Sequence, residues 1–245
     1  MKQQTQKSQI NAMNSVAKTA RLGRGSPRFG SFFAVIAVIA VIAVVLAGCS
    51  ALPDKPARSL MYDFGPGSLT AAPVSRQAPL PALAVDEIKT PGGALENMAV
   101  LYRLGYADGQ QLRPYSHARW SMPPAALIRE RLRDRLSQRR VVFNAGDSAA
   151  LNRTQNAVLP VLLKIDLEEF SQFFTSAEAS IGLVRLRATL LEVTPSGEKL
   201  VGQRTLVVQR PAPSADAPGG VRALTEATDA AIDEIDQWLQ QSAVR

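Results

Sequence analysis

The chain carries a single cysteine, and the residues before it suit that cysteine to covalent lipid attachment. Cys49 ends the run Leu46-Ala47-Gly48-Cys49, in which a leucine and two small residues precede the thiol. This order matches the lipobox of exported bacterial lipoproteins. There the thiol accepts a diacylglyceryl group, and the small residues let a signal peptidase cut between Gly48 and Cys49. The sequence predicts a covalent N-acyl diacylglycerol (palmitate-type) group on Cys49 and no other cofactor.

The 48 residues before that cysteine have the pattern of an export signal. A long basic segment leads into sixteen consecutive apolar residues, 32–47. Sixteen residues fall short of the roughly 20 that a membrane-spanning helix needs. Because the uncharged stretch extends over 29–53, a single spanning anchor stays open as the alternative. Translation can begin at Met1 or at Met13.

The residue after the cysteine bears on where such a lipoprotein would be sorted. In enteric bacteria an aspartate at this position retains lipoproteins at the inner membrane, whereas this chain has Ser50. The prediction is therefore a lipid-anchored protein of the outer membrane that faces the periplasm.

Other residues that could perform chemistry form no recognisable catalytic set. One histidine, His117, and one cysteine cannot build a Cys/His zinc site. Gly-x-Ser-x-Gly and Walker-type loops are absent from the sequence. Asp166, Glu168 and Glu169 lie along a predicted strand, which favours a solvated sheet face over acid–base work. We therefore predict neither an enzyme nor a metal site.

Two groups of aromatic residues are candidates for a partner or cargo interface. Phe170, Phe173 and Phe174 follow a predicted strand, where core packing should be ending. Tyr115 and Trp120 lie in a segment that we predict to be a loop. Exposed apolar patches usually mark binding sites. Core packing remains the alternative for the three phenylalanines.

The charge of the chain does not indicate nucleic-acid binding. The net charge is +7, but six of the 28 basic residues and none of the 21 acidic residues lie in residues 1–48. The rest of the chain is nearly neutral, so it makes no electrostatic case for binding phosphate backbones.

After the signal the sequence predicts a short tether, 49–59, and one domain, 60–242. Alternation of apolar and polar residues predicts an antiparallel meander, and shorter strands are predicted before it. The predicted strands are Leu60–Phe64, 83–88, Met98–Tyr106, Val141–Phe143, Val161–Leu167, Leu183–Val193 and Leu200–Gln209.

Two amphipathic helices are predicted. The first is Pro123–Arg140 with Ser121 as its cap, and the second follows Pro218-Gly219-Gly220 and runs to about Gln240. The first has basic flanks (Arg129, Arg133, Arg140) and the second acidic ones (Asp229, Asp233, Asp236). These flanks would attract if the helices were neighbours. The predicted fold is α+β, with two layers: a mainly antiparallel sheet of five or six strands and two helices on one face.

Taken together, four segments resemble a known family, and their order carries the likeness rather than any one motif. They are Leu60–Phe64, Met98–Trp120 with Pro123-Pro124, Leu167–Phe170 with Val184–Leu190, and Gln209–Pro213 leading through Gly219-Gly220 to Trp238-Leu239. The chain resembles the ABC-type transport auxiliary lipoproteins, relatives of the paraquat-inducible lipoprotein.

The resemblance implies a non-enzymatic component of an ABC transporter whose substrate-binding subunit carries a mammalian-cell-entry (MCE) domain. Such systems move phospholipid or other hydrophobic molecules between the inner and outer membranes. Implied partners are the MCE subunit, outer-membrane lipid and, as an open question, further copies of the chain. An alternative is a structural or envelope-assembly lipoprotein that scaffolds another outer-membrane or cell-wall protein.

Overall fold

The structure is a computed structural model that describes residues 37–39, 58–67, 80–147, 159–194 and 196–242. Its contacts divide the chain into two units, Met1–Pro56 and Ala57–Arg245. The described part of the first unit is helical. Every element labelled below belongs to the second unit.

The described strands form one eight-stranded sheet, two or three strands more than expected. In chain order they are β1 (Leu60–Tyr62), β2 (Leu83–Val85), β3 (Ala99–Leu104), β4 (Gly109–Trp120), β5 (Val142–Asn144), β6 (Val161–Phe174), β7 (Ser180–Thr194) and β8 (Gly197–Pro211). The predicted α+β class is confirmed, whereas the predicted strand count is wrong.

The predicted meander is present as β6, β7 and β8, which pair antiparallel in that order. Its inward residues stay in register, with Leu167 opposite Leu186 and Leu186 opposite Leu206, and all three are buried. All three strands are longer than predicted. In particular, β6 continues to Phe174. The prediction stopped at Leu167 because a bulge between Leu167 and Glu169 shifts the alternation, so the second half of the strand does not follow a simple period of two.

The sheet is mixed rather than mainly antiparallel. Among the described pairings, β3 with β4 and the two meander pairs are antiparallel, whereas β1 with β4, β2 with β5, β2 with β6 and β3 with β6 are parallel. The prediction was wrong because alternation of apolar residues shows which face a strand buries. It carries no information about the direction of the neighbouring strand.

Strand β4 replaces the predicted loop around Tyr115–Trp120. The apolar pattern of β4 is weak, because every residue from Gln110 to His117 is exposed or half-buried. Pro114 also interrupts the strand. The proline is tolerated because β1 pairs only with Ala118–Trp120, which leaves this part of β4 unpaired on that side.

The helices are α1 (Gly105–Asp108), α2 (Pro124–Ser137) and α3 (Ala217–Ser242). The two predicted amphipathic helices are thus α2 and α3. Pro123 occupies the N-cap position of α2 and no side chain caps it, so the predicted cap by Ser121 is wrong. Helix α3 begins earlier than predicted, because the Asp216 carboxylate accepts a hydrogen bond from the Gly219 N–H at 2.8 Å.

Helices α2 and α3 bury their apolar stripes in one core with the inward residues of β6, β7 and β8. Leu132 of α2 and Leu224 of α3 are fully buried there beside Leu186 of β7. A separate small cluster joins Ala84, Leu162 and Leu191. The prediction of two helices against one buried sheet face therefore holds.

Ion pairs join the two helices, as their charged flanks predict. Arg131 pairs with Asp229 at 2.7 Å and Arg135 with Asp233 at 2.8 Å. Arg140, just beyond α2, pairs with Asp236 at 2.9 Å. Of the arginines expected to take part, only Arg140 does; Arg129 and Arg133 instead bind the side-chain oxygen of Asn144.

Candidate functional site

The predicted cleavage site Gly48 and lipid-attachment site Cys49 lie outside the described residues. The lipid modification therefore stays a prediction. Within the described part of the chain, no helix is long and apolar enough to cross a bilayer. No group of three or more histidine, cysteine, aspartate or glutamate side chains there could hold a metal ion.

Two of the predicted interface residues, Phe170 and Trp120, are core residues. Phe170 is 1% exposed and Trp120 is fully buried. Their rings lie 5.5 Å apart, and Phe64 packs edge-on against Trp120 at 5.6 Å. This cluster joins β4 to β6. An interface role for Phe170 and Trp120 is wrong for this structure, because neither presents a surface to a partner. For Phe170 the core alternative applies.

The other predicted interface residues have mixed surroundings. Phe174 is buried and contacts the ring of Tyr102, which in turn contacts Tyr115. Phe173 is half-buried, and its ring lies so close to Gly105 of α1 that a Cβ atom there would clash with it. Only Phe173 and Tyr115 therefore keep part of their surface accessible to a partner.

Tyr115 belongs to a polar network that links three strands. Its hydroxyl donates to Gln172 Oε1 at 2.8 Å, and Gln172 Nε2 donates to Ser180 Oγ at 2.7 Å. Burial, with smaller contributions from Tyr102 and Asp216, raises the pKa of Tyr115. The hydroxyl therefore stays protonated and remains a hydrogen-bond donor. Gln172 and Ser180 are buried, so the network stabilises the sheet rather than forming a reaction centre.

Two of the three carboxylates considered for acid–base work, Glu168 and Glu169, are paired with arginines. Glu169 accepts hydrogen bonds from Arg103 Nε at 3.2 Å and Nη2 at 2.9 Å, and from Ser171 Oγ at 2.6 Å. Glu168 forms an ion pair with Arg187 of the neighbouring strand. Both contacts join β6 to a neighbouring strand, β3 for Glu169 and β7 for Glu168. His117, the only histidine, lies exposed on β4 rather than in a loop.

A cleft of about 530 Å³ separates α2 from α3 and is polar. Its walls carry two of the interhelical ion pairs, Arg131–Asp229 and Arg135–Asp233, and the backbone at Pro66-Gly67 borders it. The paired charges largely neutralise each other, and Asp134 adds a carboxylate to the same wall, so the cleft is a mainly polar surface.

A second concavity is mainly apolar and lies across β3 and β4. This apolar groove has a volume of about 520 Å³. The residues that line it include Met98, Ala99, Leu101, Leu112, Pro114 and Arg119. Register places Ala99 beside Arg119, and Leu101 beside Pro114. The strands on both sides therefore supply its floor.

The charged rim of the apolar groove lies on the face of β4 opposite the core, whereas Leu101 in its floor belongs to the main core cluster. Ala118 and Trp120 are buried in the core, so Arg119 between them points to the opposite face of β4. Met61 of β1 is the register partner of Arg119 and is 66% exposed. The residue pattern did not reveal this surface, because the segment around Tyr115–Trp120 was predicted to be a loop and only Met98, Ala99 and Leu101 belonged to a predicted strand.

Comparisons with known proteins agree with this fold. The family model described as ABC-type transport auxiliary lipoprotein component matches residues 62–236. A crystal structure from Xanthomonas campestris, of the DUF330 family, is 18% identical with a TM-score of 0.55, covering 69% of this chain and 90% of its own. An uncharacterised protein of known structure is 13% identical with a TM-score of 0.51, covering 75% and 99%. At such identities the likeness shows the fold alone. No curated protein matches the chain.

Proposed function

Because the chain belongs to the family of ABC-type transport auxiliary lipoprotein components, we propose that it is an outer-membrane lipoprotein serving an MCE-type ABC transporter. In this proposal residues 1–48 are removed as a signal peptide, and residues 49–59 tether the domain to the acylated Cys49. The protein faces the periplasm and takes part, without catalysing a reaction, in moving phospholipid or another hydrophobic substrate between the membranes.

The observation that carries this proposal is the coincidence of a lipobox with the family match. The only cysteine of the chain ends its only long apolar run, and the match begins 13 residues later. Acyl chains supply stable anchoring when more than one is present, because each buried methylene contributes about 0.8 kcal/mol. The anchor confines the domain to a thin layer at the membrane, which raises its effective concentration for a partner that crosses the periplasm.

Because Phe170 and Trp120 are buried, they cannot form the docking surface for the MCE subunit, and we assign that surface to the free edge of β8. Among the strands that the structure describes, β8 pairs with β7 alone, so its other edge carries backbone groups without a described strand partner along 15 residues. Leu200, Val201 and Val207 are 46% to 60% exposed there. Such an edge is suited to adding a strand from the MCE subunit.

The first experiment tests the anchor. The wild-type protein should incorporate labelled palmitate and migrate as the processed form, whereas Cys49→Ala should take up no label and accumulate with residues 1–48 attached. A Cys49→Ala protein that is processed and membrane-bound like the wild type would overturn the lipoprotein assignment and favour the spanning anchor.

The second experiment tests the partner. Affinity purification of the anchored protein from detergent-solubilised envelopes should recover an MCE-domain subunit. Val207→Lys places a charge on the β8 edge and should reduce that recovery, while Val141→Lys, an equally exposed valine remote from β8 in the sheet order, should not. Recovery of cell-wall synthases alone would instead support the envelope-assembly alternative.

A further inference from the structure

We infer that the apolar groove is a membrane-contact surface, which rests against the bilayer that holds the anchor. The inference rests on the proposed function, since it requires an acylated Cys49. It goes further by naming a second point of contact, on the folded domain itself, and by fixing which face of the sheet turns toward lipid.

The length of the tether carries the first step. Met61 borders the apolar groove and is twelve residues from Cys49. Even a fully extended segment of that length reaches only about 40 Å. A folded domain of this size is itself about 40 Å across. The anchor therefore holds the β1 end of the sheet nearer to the bilayer than the rest of the domain.

The chemistry of the surface carries the second step. Met61 is 66% exposed and Met98 46% exposed, and the groove between β3 and β4 continues this apolar area. Unbranched methionine side chains adapt to irregular apolar surroundings. Exposure of this apolar surface to water is unfavourable, and contact with the acyl boundary of a bilayer removes that exposure.

Charge at the groove supports a lipid partner as well. Among its described lining residues, Arg119 bears the only charge, and Arg58 at the end of the tether is exposed. Cations beside an apolar surface suit a bilayer, because they pair with phosphate headgroups while the apolar side chains reach the acyl boundary. By contrast, the cleft between α2 and α3 has paired charges of both signs, and the edge of β8 presents backbone groups that require a strand.

The experiment uses the sole cysteine of the chain to advantage. Once Cys49 is acylated, Met98→Cys introduces the only free thiol, and a polarity-sensitive fluorophore can be attached there. The matched control is Glu226→Cys on the exposed face of α3. Both acylated full-length proteins are reconstituted into vesicles of phosphatidylethanolamine and phosphatidylglycerol that contain a nitroxide-labelled lipid. Thermal unfolding of each variant should match the wild type.

We expect the label at position 98 to be quenched roughly threefold more than the label at 226, because a surface helix or groove sinks about 5–10 Å into the headgroup boundary. Equal quenching at both positions, in protein that floats with the vesicles, would overturn the inference and leave the lipoprotein assignment intact. A different outcome is a label at 98 that reports an apolar environment without quenching by the labelled lipid. If that signal disappears when the protein is diluted to single copies, a second copy is the occupant, and the inference is overturned. Wild-type protein that reacts through a free Cys49, or fails to float, would remove the proposed function itself.

Discussion

The two parts of the sheet are held together differently. In the long-strand region, β6, β7 and β8 run for 14, 15 and 15 residues and pair along nearly their whole length. In the short-strand region, β1, β2 and β5 have three residues each and β3 has six, and β4, although it has twelve, pairs with β1 over only three of the described residues. The long strands are stabilised by their own ladders and by α3, whereas the short strands depend on side chains that pack against β6.

The exposed apolar residues differ in the same way. In the long-strand region they lie on β8, where a free backbone edge can accept another strand. In the short-strand region they border a groove on the open face of β3 and β4. Under the two proposals above, these surfaces take two kinds of partner, a protein strand on β8 and a lipid surface at the apolar groove, so that one small domain is anchored and docked at once.

The largest effect should come from the cluster that couples the two regions. Replacing Phe170 with alanine removes the ring that contacts Trp120 and Phe64, and should lower the free energy of unfolding by about 4 kcal/mol. Because the regions share one core, urea unfolding should remain a single transition. Phe173→Ala, a half-buried ring on the same strand, should cost about 1 kcal/mol. Equal losses, or a separate transition for either region, would contradict this coupling.

The next effect concerns the ion pairs between helices. Arg140 and Asp236 side chains are 4% and 15% exposed, whereas those of Arg135 and Asp233 are 46% and 51% exposed. Arg140→Ala should destabilise the protein by about 3 kcal/mol, because it leaves a largely buried carboxylate without its partner. Arg135→Ala should cost less than about 1 kcal/mol. Chemical denaturation of the two variants measures the contrast, and similar losses would remove it.

A smaller, pH-dependent effect is expected at the start of α3. Hydrogen bonds from the Ser214 hydroxyl and the Gly219 N–H hold the pKa of Asp216 below its usual range. A lowered folded-state pKa means that the charged carboxylate stabilises the fold above its ordinary pKa and loses this effect as the pH falls through the lowered value.

Asp216→Ala should therefore cost about 1 kcal/mol at neutral pH, and its stability should converge with that of the wild type in acid. Denaturation midpoints measured from neutral pH down to pH values below the ordinary aspartate pKa provide the test. A difference that persists unchanged into acid would show that the cap acts without its charge.

The smallest effect on stability is expected at the rim of the apolar groove. Met61→Ser and Met98→Ser should each change the free energy of unfolding by less than about 0.5 kcal/mol, because both side chains are exposed. Leu101→Ala, which replaces a residue 6% exposed in the groove floor, should cost about 2 kcal/mol. Methionine variants that unfold as readily as Leu101→Ala would show that the rim serves packing instead of contact with lipid.

Some of this could be read from residue patterns because the relevant forces are local. Alternation in Val161–Leu167 and Leu183–Val193 correctly identified inward residues, since each strand needs one apolar face. The opposite charges of the two helices correctly predicted ion pairs between them. The residue pattern did not predict which arginines form the ion pairs. Arg131 and Arg135 face Asp229 and Asp233 of α3 because of the way the two helices are rotated against the sheet, which the sequence does not show.

Other features depended on packing between distant segments. Strand β4 has no clear alternation, and its position is set by β3 on one side and by three residues of β1 on the other. The apolar groove exists only where these strands meet. Likewise, the burial of Phe170 follows from Trp120 and Phe64, which lie 50 and 106 residues earlier in the chain.

The sequence by itself determined the α+β class, the two amphipathic helices and the family resemblance, because periodicity and segment order are properties of the linear chain. Tertiary structure alone decided that the sheet is mixed, that the aromatic candidates are largely core, and that an apolar groove opens beside the start of the domain. The physical reason is that strand direction, side-chain burial and concave surfaces arise from contacts between segments, and those contacts form only when the chain is folded.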